Sequence, residues 1–392
     1  MGISVGLVGL GAFGSEFADL FMSHPLVDRV ALCDREGDRV RRFAEKETWR
    51  KKFHPRDAYE SFDAICAAKL DALAIITQPW LHAPQCIQAM ESGKHVYSAV
   101  PVIWLPDGDE ILDWCDKLVA ACRRTGMRYM LGETTYYRPG AVFCRRKAEA
   151  SAFGDFVYAE GEYYHDFESP SCNLKQVRAA RLAGKAGEEW RRLAEQYLRR
   201  GSFTGPTHYP THSTGGPICV MKCPAVKVSA FAYRTRTGDE FFGDSDGISN
   251  ETALFLMRNG ATMRICEHRE IGRPGSETFR IFGTKASFGD DTWYDKARGV
   301  ELTTEQMRPP LDEEFVRAYA AADPGGSVYG EHGGSHGYLV DEFVRAVAED
   351  RPPAIHVWEA VRYMAAGVMA HKSALRDGEM LEVPDWGDGP AS

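Results

Sequence analysis

The sequence predicts an α/β fold in two parts: an N-terminal doubly wound parallel sheet, followed by an α+β domain with a large, mostly antiparallel open sheet. A buried apolar run at 3–10 leads into a glycine-rich turn, and strand and helix patterns then alternate as far as residue 131. After Tyr136, extended segments separated by glycine-rich turns take over. Because 392 residues exceed the usual size of one core, we expect two domains, residues 1–132 and 133–392.

The predicted strands of the first domain are short apolar runs, as expected for a sheet that helices cover on both faces. They are placed at 3–10, 30–33, 73–76, 95–98 and 129–131. Helices are predicted between them at 15–23, from residue 38 onward, at 82–91 and at 109–125. This alternation is typical of βαβ units.

The second domain has longer extended segments and fewer helices. Strands are predicted at 156–164, 226–233, 253–257, 262–267 and 278–282. A polar helical insertion is predicted at 175–200, and two helices near the C-terminus at 337–348 and 357–375. We expect the last two helices to pack back toward the first domain.

Composition excludes several classes of protein. The hydrophobic fraction is 44%, the net charge is −9, and no apolar run is long enough to cross a membrane, so neither a membrane nor a nucleic-acid partner is expected. The first strand begins too early for a signal peptide, and the ten cysteines are scattered, which favours the reducing cytoplasm. Cys219 and Cys223 lack the spacing and the second pair of a zinc site, so no metal is predicted.

Gly9, Gly11 and Gly14 form a G-x-G-x-x-G motif between the first strand and the first helix. Gly9 permits the tight turn, Gly11 lets the backbone approach a pyrophosphate, and Gly14 lets the helix pack close to the strand. Ala12 and Phe13 lie between these glycines, at the helix N-terminus that faces the anion. The first domain is therefore predicted to be a Rossmann domain that binds a dinucleotide.

Asp34 ends the second strand, ~20 residues beyond the glycines. A carboxylate there accepts hydrogen bonds from the adenosine ribose hydroxyls and repels a 2′-phosphate, which favours NAD over NADP. Two alternatives stay open: Asp34 as a solvated carboxylate at a strand end, and the neighbouring Arg35 as a group that accommodates a phosphate.

Three segments resemble the glucose-fructose oxidoreductase, inositol dehydrogenase and MocA family, over essentially the whole chain. They are the glycine motif, the segment 77–82 with sequence TQPWLH, and the segment 93–101 with sequence GKHVYSAVP. The resemblance implies that Thr77, Gln78, His82 and Pro101 belong to the cofactor site. Members of the family that are dehydrogenases have Glu-Lys-Pro where this chain has residues 99–101, so the lysine that assists their proton transfer is absent.

In having valine before this proline, the chain resembles the family's NAD-dependent glycoside hydrolases, such as the α-N-acetylgalactosaminidases. The segments 159–166 and 209–212, and Glu133 after the sixth strand, also resemble that branch. The resemblance implies a redox-neutral hydrolysis: a sugar carbon, usually C3, is transiently oxidised, the aglycone leaves by elimination, water adds and the sugar is reduced again. The continuation at 213–217 and the insertion at 175–200 differ from that branch.

The resemblance also implies roles for a group of histidines and tyrosines. His212 is expected near the hydroxyl that is oxidised, Tyr163 as the base at C2, and Tyr209 or His165 at the glycosidic oxygen. Glu133 anchors a sugar hydroxyl or caps local backbone groups. The alternative for either tyrosine is an ordinary aromatic packed on the sheet, and His212 is expected in a turn-rich stretch at 207–216.

The resemblance implies a small carbohydrate substrate, and three functions stay open. The first is an NAD-dependent glycosidase, with sulfoquinovosides as candidate substrates if cations of the basic run at 175–192 turn inward rather than form the solvated face of a helix. The second is an NAD-dependent sugar or polyol dehydrogenase, and the third a non-catalytic NAD-binding sensor. From the family we expect a homo-oligomer, a dimer or tetramer.

Overall fold

A computed structural model describes residues 2–170 and 173–389. Its first sheet is parallel throughout and has six strands in the order β3-β2-β1-β4-β5-β6. The strands are β1 Ile3–Val8, β2 Val27–Cys33, β3 Ala58–Tyr59, β4 Ala72–Ile75, β5 His95–Ser98 and β6 Tyr129–Leu131. This is the strand order of a dinucleotide-binding Rossmann sheet, whose ligand crevice lies at the carboxyl ends of β1 and β4. The predicted fold class of the first part is confirmed.

The second sheet has nine strands in the order β14-β13-β12-β11-β7-β10-β9-β8-β15. They are β7 Phe156–Tyr164, β8 Ala225–Arg234, β9 Ile248–Met257, β10 Thr262–His268, β11 Ser276–Gly283, β12 Ala286–Gly289, β13 Thr292–Asp295, β14 Gly299–Glu301 and β15 Leu381–Glu382. All neighbouring strands are antiparallel except β7 and β10. The mostly antiparallel sheet is also confirmed.

Helices cover both faces of the first sheet and one face of the second. They are α1 Ala12–Ser23, α2 Gly37–Ala44, α3 Phe62–Ala67, α4 His82–Glu91, α5 Gly108–Thr125, α6 Pro139–Glu149, α7 Leu174–Leu182, α8 Lys185–Arg199, α9 Thr211–Met221, α10 Thr304–Met307, α11 Glu313–Ala322, α12 His336–Ala348 and α13 Val357–Ala374. Helix α12 contacts α1, and α13 contacts both α5 and β8. No helix in these ranges is long and apolar enough to cross a membrane.

The polar helical insertion predicted at 175–200 is present as two helices, α7 and α8, because the chain breaks at Ala183 and Gly184. One prediction for the second part is wrong. The stretch at 207–216 is not a loop, since α9 begins at Thr211. All residues of α9 are buried, and its glycines and Pro217 look like turn residues, so the sequence shows neither amphipathic periodicity nor helix propensity there.

The outer face of the second sheet carries exposed apolar side chains. Phe231 on β8 and Leu254 on β9 are 62% and 54% exposed, and Leu256 and Tyr233 are also exposed. The opposite face packs on α9 and α13. The sheet is therefore open on one side, as predicted.

Candidate active site

The glycine turn between β1 and α1 has the shape that a dinucleotide requires. Gly9 has a φ of +90°, and a Cβ there would lie 2.3 Å from the carbonyl oxygen of Ile76, while a Cβ on Gly14 would lie 2.0 Å from the carbonyl oxygen of Gly9. A Cβ on Gly11 would meet nothing within 4 Å, so this side of the turn is open. No side chain caps α1, which leaves its first N–H groups, near Ala12 and Phe13, for an anion.

Asp34 joins the end of β2 to this turn. Its carboxylate accepts hydrogen bonds from the backbone N–H groups of Leu10, at 2.7 Å, and Glu36, at 2.8 Å. The neighbouring Arg35 forms an ion pair with Glu189 of α8. Because the Asp34 carboxylate is held in place and Arg35 is already paired, this position suits ribose hydroxyls better than a 2′-phosphate.

The segment 77–82 and the turn at Pro101 are tied together by His82. The His82 ring is 1% exposed and lies with its Nδ1 2.8 Å from the carbonyl oxygen of Pro101. Burial lowers its pKa to about 4, so the ring is neutral. Thr77 bonds Gln85 of α4 at 2.6 Å, Gln78 precedes a short 3-10 turn, and the Val100–Pro101 peptide is cis. His82 therefore positions these two turns.

Beside the Pro101 turn, five predicted site residues come together from three separate parts of the chain. We call Glu133, Tyr163, His165, Tyr209 and His212 the His212 cluster. His212 Nδ1 lies 3.0 Å from Glu133 Oε1, and the His212 ring lies 4.9 Å from that of Tyr163 and 5.6 Å from that of Tyr209. The Tyr209 hydroxyl donates to the carbonyl oxygen of Val100 at 3.2 Å, which connects the cluster to the predicted cofactor side.

Gly161 in β7 explains why α9 comes so close to the sheet. A Cβ at Gly161 would lie 1.9 Å from the carbonyl oxygen of Ser213 in the first turn of α9. Only a glycine allows this approach. It places His212 beside Tyr163, two residues further along β7.

Glu133 and His212 form a buried ion pair. Burial favours neutral forms, but the negative charges of Glu133 and Glu277 raise the pKa of His212 to about 9. Burial likewise opposes ionisation of Glu133, yet the His212 charge and hydrogen bond lower its pKa to about 2. Glu133 also accepts from the backbone N–H of Thr135 at 2.9 Å, so it caps local backbone groups, while the anchoring of a sugar hydroxyl stays a prediction.

Tyr163 has both a proton acceptor and a cation beside it. Its hydroxyl lies 2.6 Å from His165 Nδ1, and the Arg269 guanidinium lies 4.6 Å from its ring centroid. Burial raises the pKa of Tyr163 well above that of a free tyrosine, while the positive charge of Arg269 opposes this rise. The phenol is therefore protonated at neutral pH, with a path for its proton toward His165.

The structure adds charged residues that the sequence did not single out. Glu277 on β11 lies 3.9 Å from His212 Nδ1 and 2.5 Å from Arg138, and Glu267 on β10 lies 2.6 Å from Arg269. Burial raises the pKa of Glu267 to about 7, an effect that the Arg269 charge opposes. From the sequence alone, a glutamate on a strand is expected to face solvent, so no sequence pattern identified these two residues as part of the site.

His332 lies near this site: burial lowers its pKa, the charge of Glu277 opposes this lowering, and the charge of His212 adds to it. Its ring meets the Phe13 ring at 6.0 Å, above the glycine turn. In the described residues, no group of three or more His, Cys, Asp or Glu side chains could hold a metal ion. The cysteines at 219 and 223 are buried and unpaired.

Residues 3–133 match the model of an oxidoreductase family with an NAD-binding Rossmann fold, the glucose-fructose oxidoreductase, inositol dehydrogenase and MocA family. A glycosyl hydrolase family 109 protein of Bacteroides fragilis is 30% identical over 99% of this chain and 92% of its own length. An α-N-acetylgalactosaminidase of Tannerella forsythia is 22% identical over 84% of this chain and 72% of its own.

Among solved structures, an Agrobacterium radiobacter oxidoreductase in complex with NAD+, L-tartaric acid and magnesium has the same fold. The TM-score is 0.71 at 13% identity, covering 97% of this chain and 98% of that one. The cofactor is NAD, as the family model indicates, and the glycine turn with its open position at Gly11 has room for it. The chain belongs to the glucose-fructose oxidoreductase, inositol dehydrogenase and MocA family, and over its whole length it is similar to the family's glycosyl hydrolase family 109 branch.

Proposed function

We propose that the protein is an NAD-dependent, redox-neutral glycoside hydrolase. The sugar is transiently oxidised, usually at C3, the aglycone is eliminated across C1 and C2, water adds, and the sugar is reduced again. The observation that carries the proposal is the His212 cluster beside the Pro101 turn, where valine replaces the lysine of the family's dehydrogenases. The whole-length similarity to family 109 proteins supports it. When bound, NAD supplies the hydride acceptor and later the hydride donor.

His212 is proposed to exchange the proton of the hydroxyl that is oxidised. With one proton on Nδ1, shared with Glu133 at 3.0 Å, the ring has Nε2 free to take a proton from a sugar hydroxyl. The same negative charges that raise its pKa to about 9 make it a strong base once that nitrogen is deprotonated. Glu133 fixes the ring orientation and balances the imidazolium that forms.

Tyr163 is proposed to remove the C2 proton. As the phenol oxygen takes this proton, the phenol's own proton passes to His165 Nδ1, 2.6 Å away, so no charge accumulates on the tyrosine. The Arg269 guanidinium, 4.6 Å from the ring centroid, stabilises any phenolate character during the transfer. Return of the proton during water addition restores the starting state.

Tyr209 is proposed to donate a proton to the glycosidic oxygen as the aglycone leaves. Its hydroxyl is anchored at the Val100 carbonyl, and burial keeps the phenol protonated by raising its pKa, so it has a proton to donate to the leaving oxygen. This leaves His165 as the relay of Tyr163. His82, Thr77 and Gln78 are proposed to hold the cofactor-side turns in position.

A net sugar or polyol dehydrogenase is the second candidate. The structural likeness to an oxidoreductase that was crystallised with NAD+ shows the fold but not the reaction. A dehydrogenase accumulates NADH from a free sugar, whereas the proposed hydrolase regenerates NAD+ within each turnover. A non-catalytic sensor would bind NAD without any turnover.

The test follows nitrophenol and NADH absorbance together while the protein acts on nitrophenyl glycosides, including N-acetylhexosaminides and sulfoquinovosides, with and without NAD+. The proposal expects NAD+-dependent nitrophenol release without accumulating NADH. A matched variant, Tyr163→Phe, is expected to abolish release while still binding NADH. Stoichiometric NADH from free sugars, with no nitrophenol from any glycoside, contradicts the proposal and favours the dehydrogenase.

The open face of the second sheet supports a second, independent proposal, that the chain forms a homo-oligomer. Phe231 and Leu254 are exposed on neighbouring strands, and apolar residues at such positions are typical of interfaces. Two copies that pack these faces together would bury them. Analytical ultracentrifugation tests this, since a monomer at micromolar concentration contradicts it.

A further inference from the structure

The helical insertion is held beside the second sheet through α7. Lys175 bonds Asp239 at 2.6 Å. Arg178 bonds Asp244 at 2.7 Å and donates to the carbonyl oxygen of Phe241 at 2.6 Å. All three partners lie in the connection between β8 and β9. These two cations therefore bind protein groups and fix α7 to the part of the chain that forms the second sheet.

Helix α8 packs on the first sheet instead. The Trp190 ring is 3% exposed, stacks on that of Trp104 at 4.7 Å and lies 4.9 Å from that of Trp80. Two turns further along α8, the Tyr197 hydroxyl donates to the Glu110 carboxylate of α5 at 2.7 Å. One face of α8 thus rests on loops and a helix of the first sheet, with Trp190 as a fully enclosed aromatic contact.

The contacts of α8 lie along the edge of the first sheet where a dinucleotide binds. Trp80 follows β4 and Trp104 follows β5, while Arg35, the ion-pair partner of Glu189, follows β2. In the strand order β2-β1-β4-β5, the glycine turn after β1 lies between these positions. Two adjacent residues of α8, Glu189 and Trp190, therefore contact both sides of the crevice at the carboxyl ends of β1 and β4. Helix α8 spans this crevice.

The joint between α7 and α8 is short and tight. Only residues 183 and 184 separate the two helices. A Cβ at Gly187 would lie 2.0 Å from the carbonyl oxygen of Leu182, so a glycine is required for the first turn of α8 to approach the end of α7. The insertion is therefore a helical hairpin with one arm on each sheet. We call residues 174–199 the strap.

We infer that the strap closes the cofactor crevice, and that Trp190 is the positioning residue that holds it shut. NAD bound along the carboxyl ends of β1 and β4 lies beneath α8, so it enters or leaves after Trp190 has separated from the rings of Trp80 and Trp104. NAD then exchanges slowly with the solution. This inference concerns the cofactor alone and does not rest on the proposed function.

A closed strap has a kinetic signature of its own. The contacts that hold α8 down are all with protein groups, so they act whether or not NAD is bound. A cover of this kind slows association and dissociation by the same factor and leaves the dissociation constant nearly unchanged. A residue that serves only to bind the cofactor changes the dissociation rate and the affinity together.

Stopped-flow fluorescence of NADH with the full-length protein measures both rates, with excess NAD+ added to trap the sites from which NADH dissociates. Trp190→Ala is expected to raise the association and dissociation rates by about tenfold to a hundredfold, the size expected from the loss of two aromatic contacts. The dissociation constant should change by about threefold at most. Trp190→Phe keeps a ring in contact with Trp80 and Trp104 and should restore most of the slow exchange.

A second variant releases the strap from its other arm, because the removal of a buried tryptophan also lowers stability. Arg178→Gln breaks the pair with Asp244 and should raise both rates by about threefold to tenfold. The matched control is Arg192→Gln, an exposed arginine of α8 whose partner Glu188 lies 3.7 Å away. It should leave both rates unchanged. The melting temperature of each variant is measured alongside.

The inference is overturned if Trp190→Ala and Arg178→Gln exchange NADH at the rates of the unmodified protein. It is also overturned if only the dissociation rate rises and the affinity falls in proportion, since Trp190 would then support cofactor binding without covering the crevice. No sugar is present in this measurement. The hydrolase proposal can therefore fail in its own assay while the strap is confirmed, and the strap can fail while glycosides are cleaved.

Discussion

Glu133→Gln removes the charge that keeps His212 protonated and leaves the shape of the side chain nearly unchanged. The rise of the His212 pKa from 6.5 to about 9 corresponds to about 3 kcal/mol in favour of the imidazolium. Because this pKa is raised in the folded state, its stabilisation is complete below pH 6.5 and is lost as pH rises through about 9. The Glu133 pKa is lowered instead, so its contribution is complete above pH 4.5 and is lost as pH falls through about 2.

The unmodified protein is therefore expected to lose up to about 3 kcal/mol of unfolding free energy from His212 between pH 6.5 and pH 9.5. In Glu133→Gln this loss becomes smaller, because only the charges of Glu277 and Glu267 still raise the His212 pKa, and the variant is less stable at pH 6. Urea denaturation across this pH range measures the slope, and imidazole NMR shifts report the His212 proton directly. The control is Glu195→Gln, whose exposed partner Arg199 lies 2.7 Å away, and which should change stability by less than about 1 kcal/mol. A His212 that titrates below pH 7 in the unmodified protein refutes the reasoning.

Three further changes have defined outcomes. Gly161→Ala places a methyl group 1.9 Å from the Ser213 carbonyl oxygen and should lower the free energy of unfolding, measured by urea denaturation, by about 1–3 kcal/mol. Gly243→Ala, where a Cβ meets nothing within 4 Å, should leave this free energy unchanged. Equal stability of the two variants would contradict the close approach. Tyr163→Phe should lower kcat about a hundredfold or more with NADH affinity retained in a fluorescence titration, and an unchanged kcat would remove this residue from the mechanism. Leu254→Asp should dissociate the oligomer in ultracentrifugation, and an intact oligomer would place the interface elsewhere.

Five of the six strands of the first sheet were predictable because they are largely buried and the glycine turn marks where β1 ends. Strand β3 was missed because it has only two residues, neither of them buried. The helices on this sheet were placed within a few residues, with α1 starting at Ala12 rather than at residue 15. Helix α9 was not predictable, since all of its residues are buried and the pattern that marks a surface helix is absent. Its start at Thr211 moves His212 from a predicted loop into a rigid helical turn.

The candidate site was predictable only where family resemblance marked the residues. The five members of the His212 cluster were named from motifs, and the structure shows which of them touch. Glu277 and Arg269 were missed because a charged residue on a strand has the same sequence pattern whether it faces water or a cluster.

The measurement that tests the central claim most directly is isotope exchange at C2. The protein and NAD+ are incubated in deuterated water with a glycoside that it cleaves, and the recovered sugar is examined by NMR and mass spectrometry. The account predicts one deuterium at C2, because Tyr163 returns a solvent-exchanged proton there during water addition, and predicts its loss in Tyr163→Phe. Cleavage that leaves C2 fully protonated would show that the glycosidic bond breaks without elimination and would contradict the account.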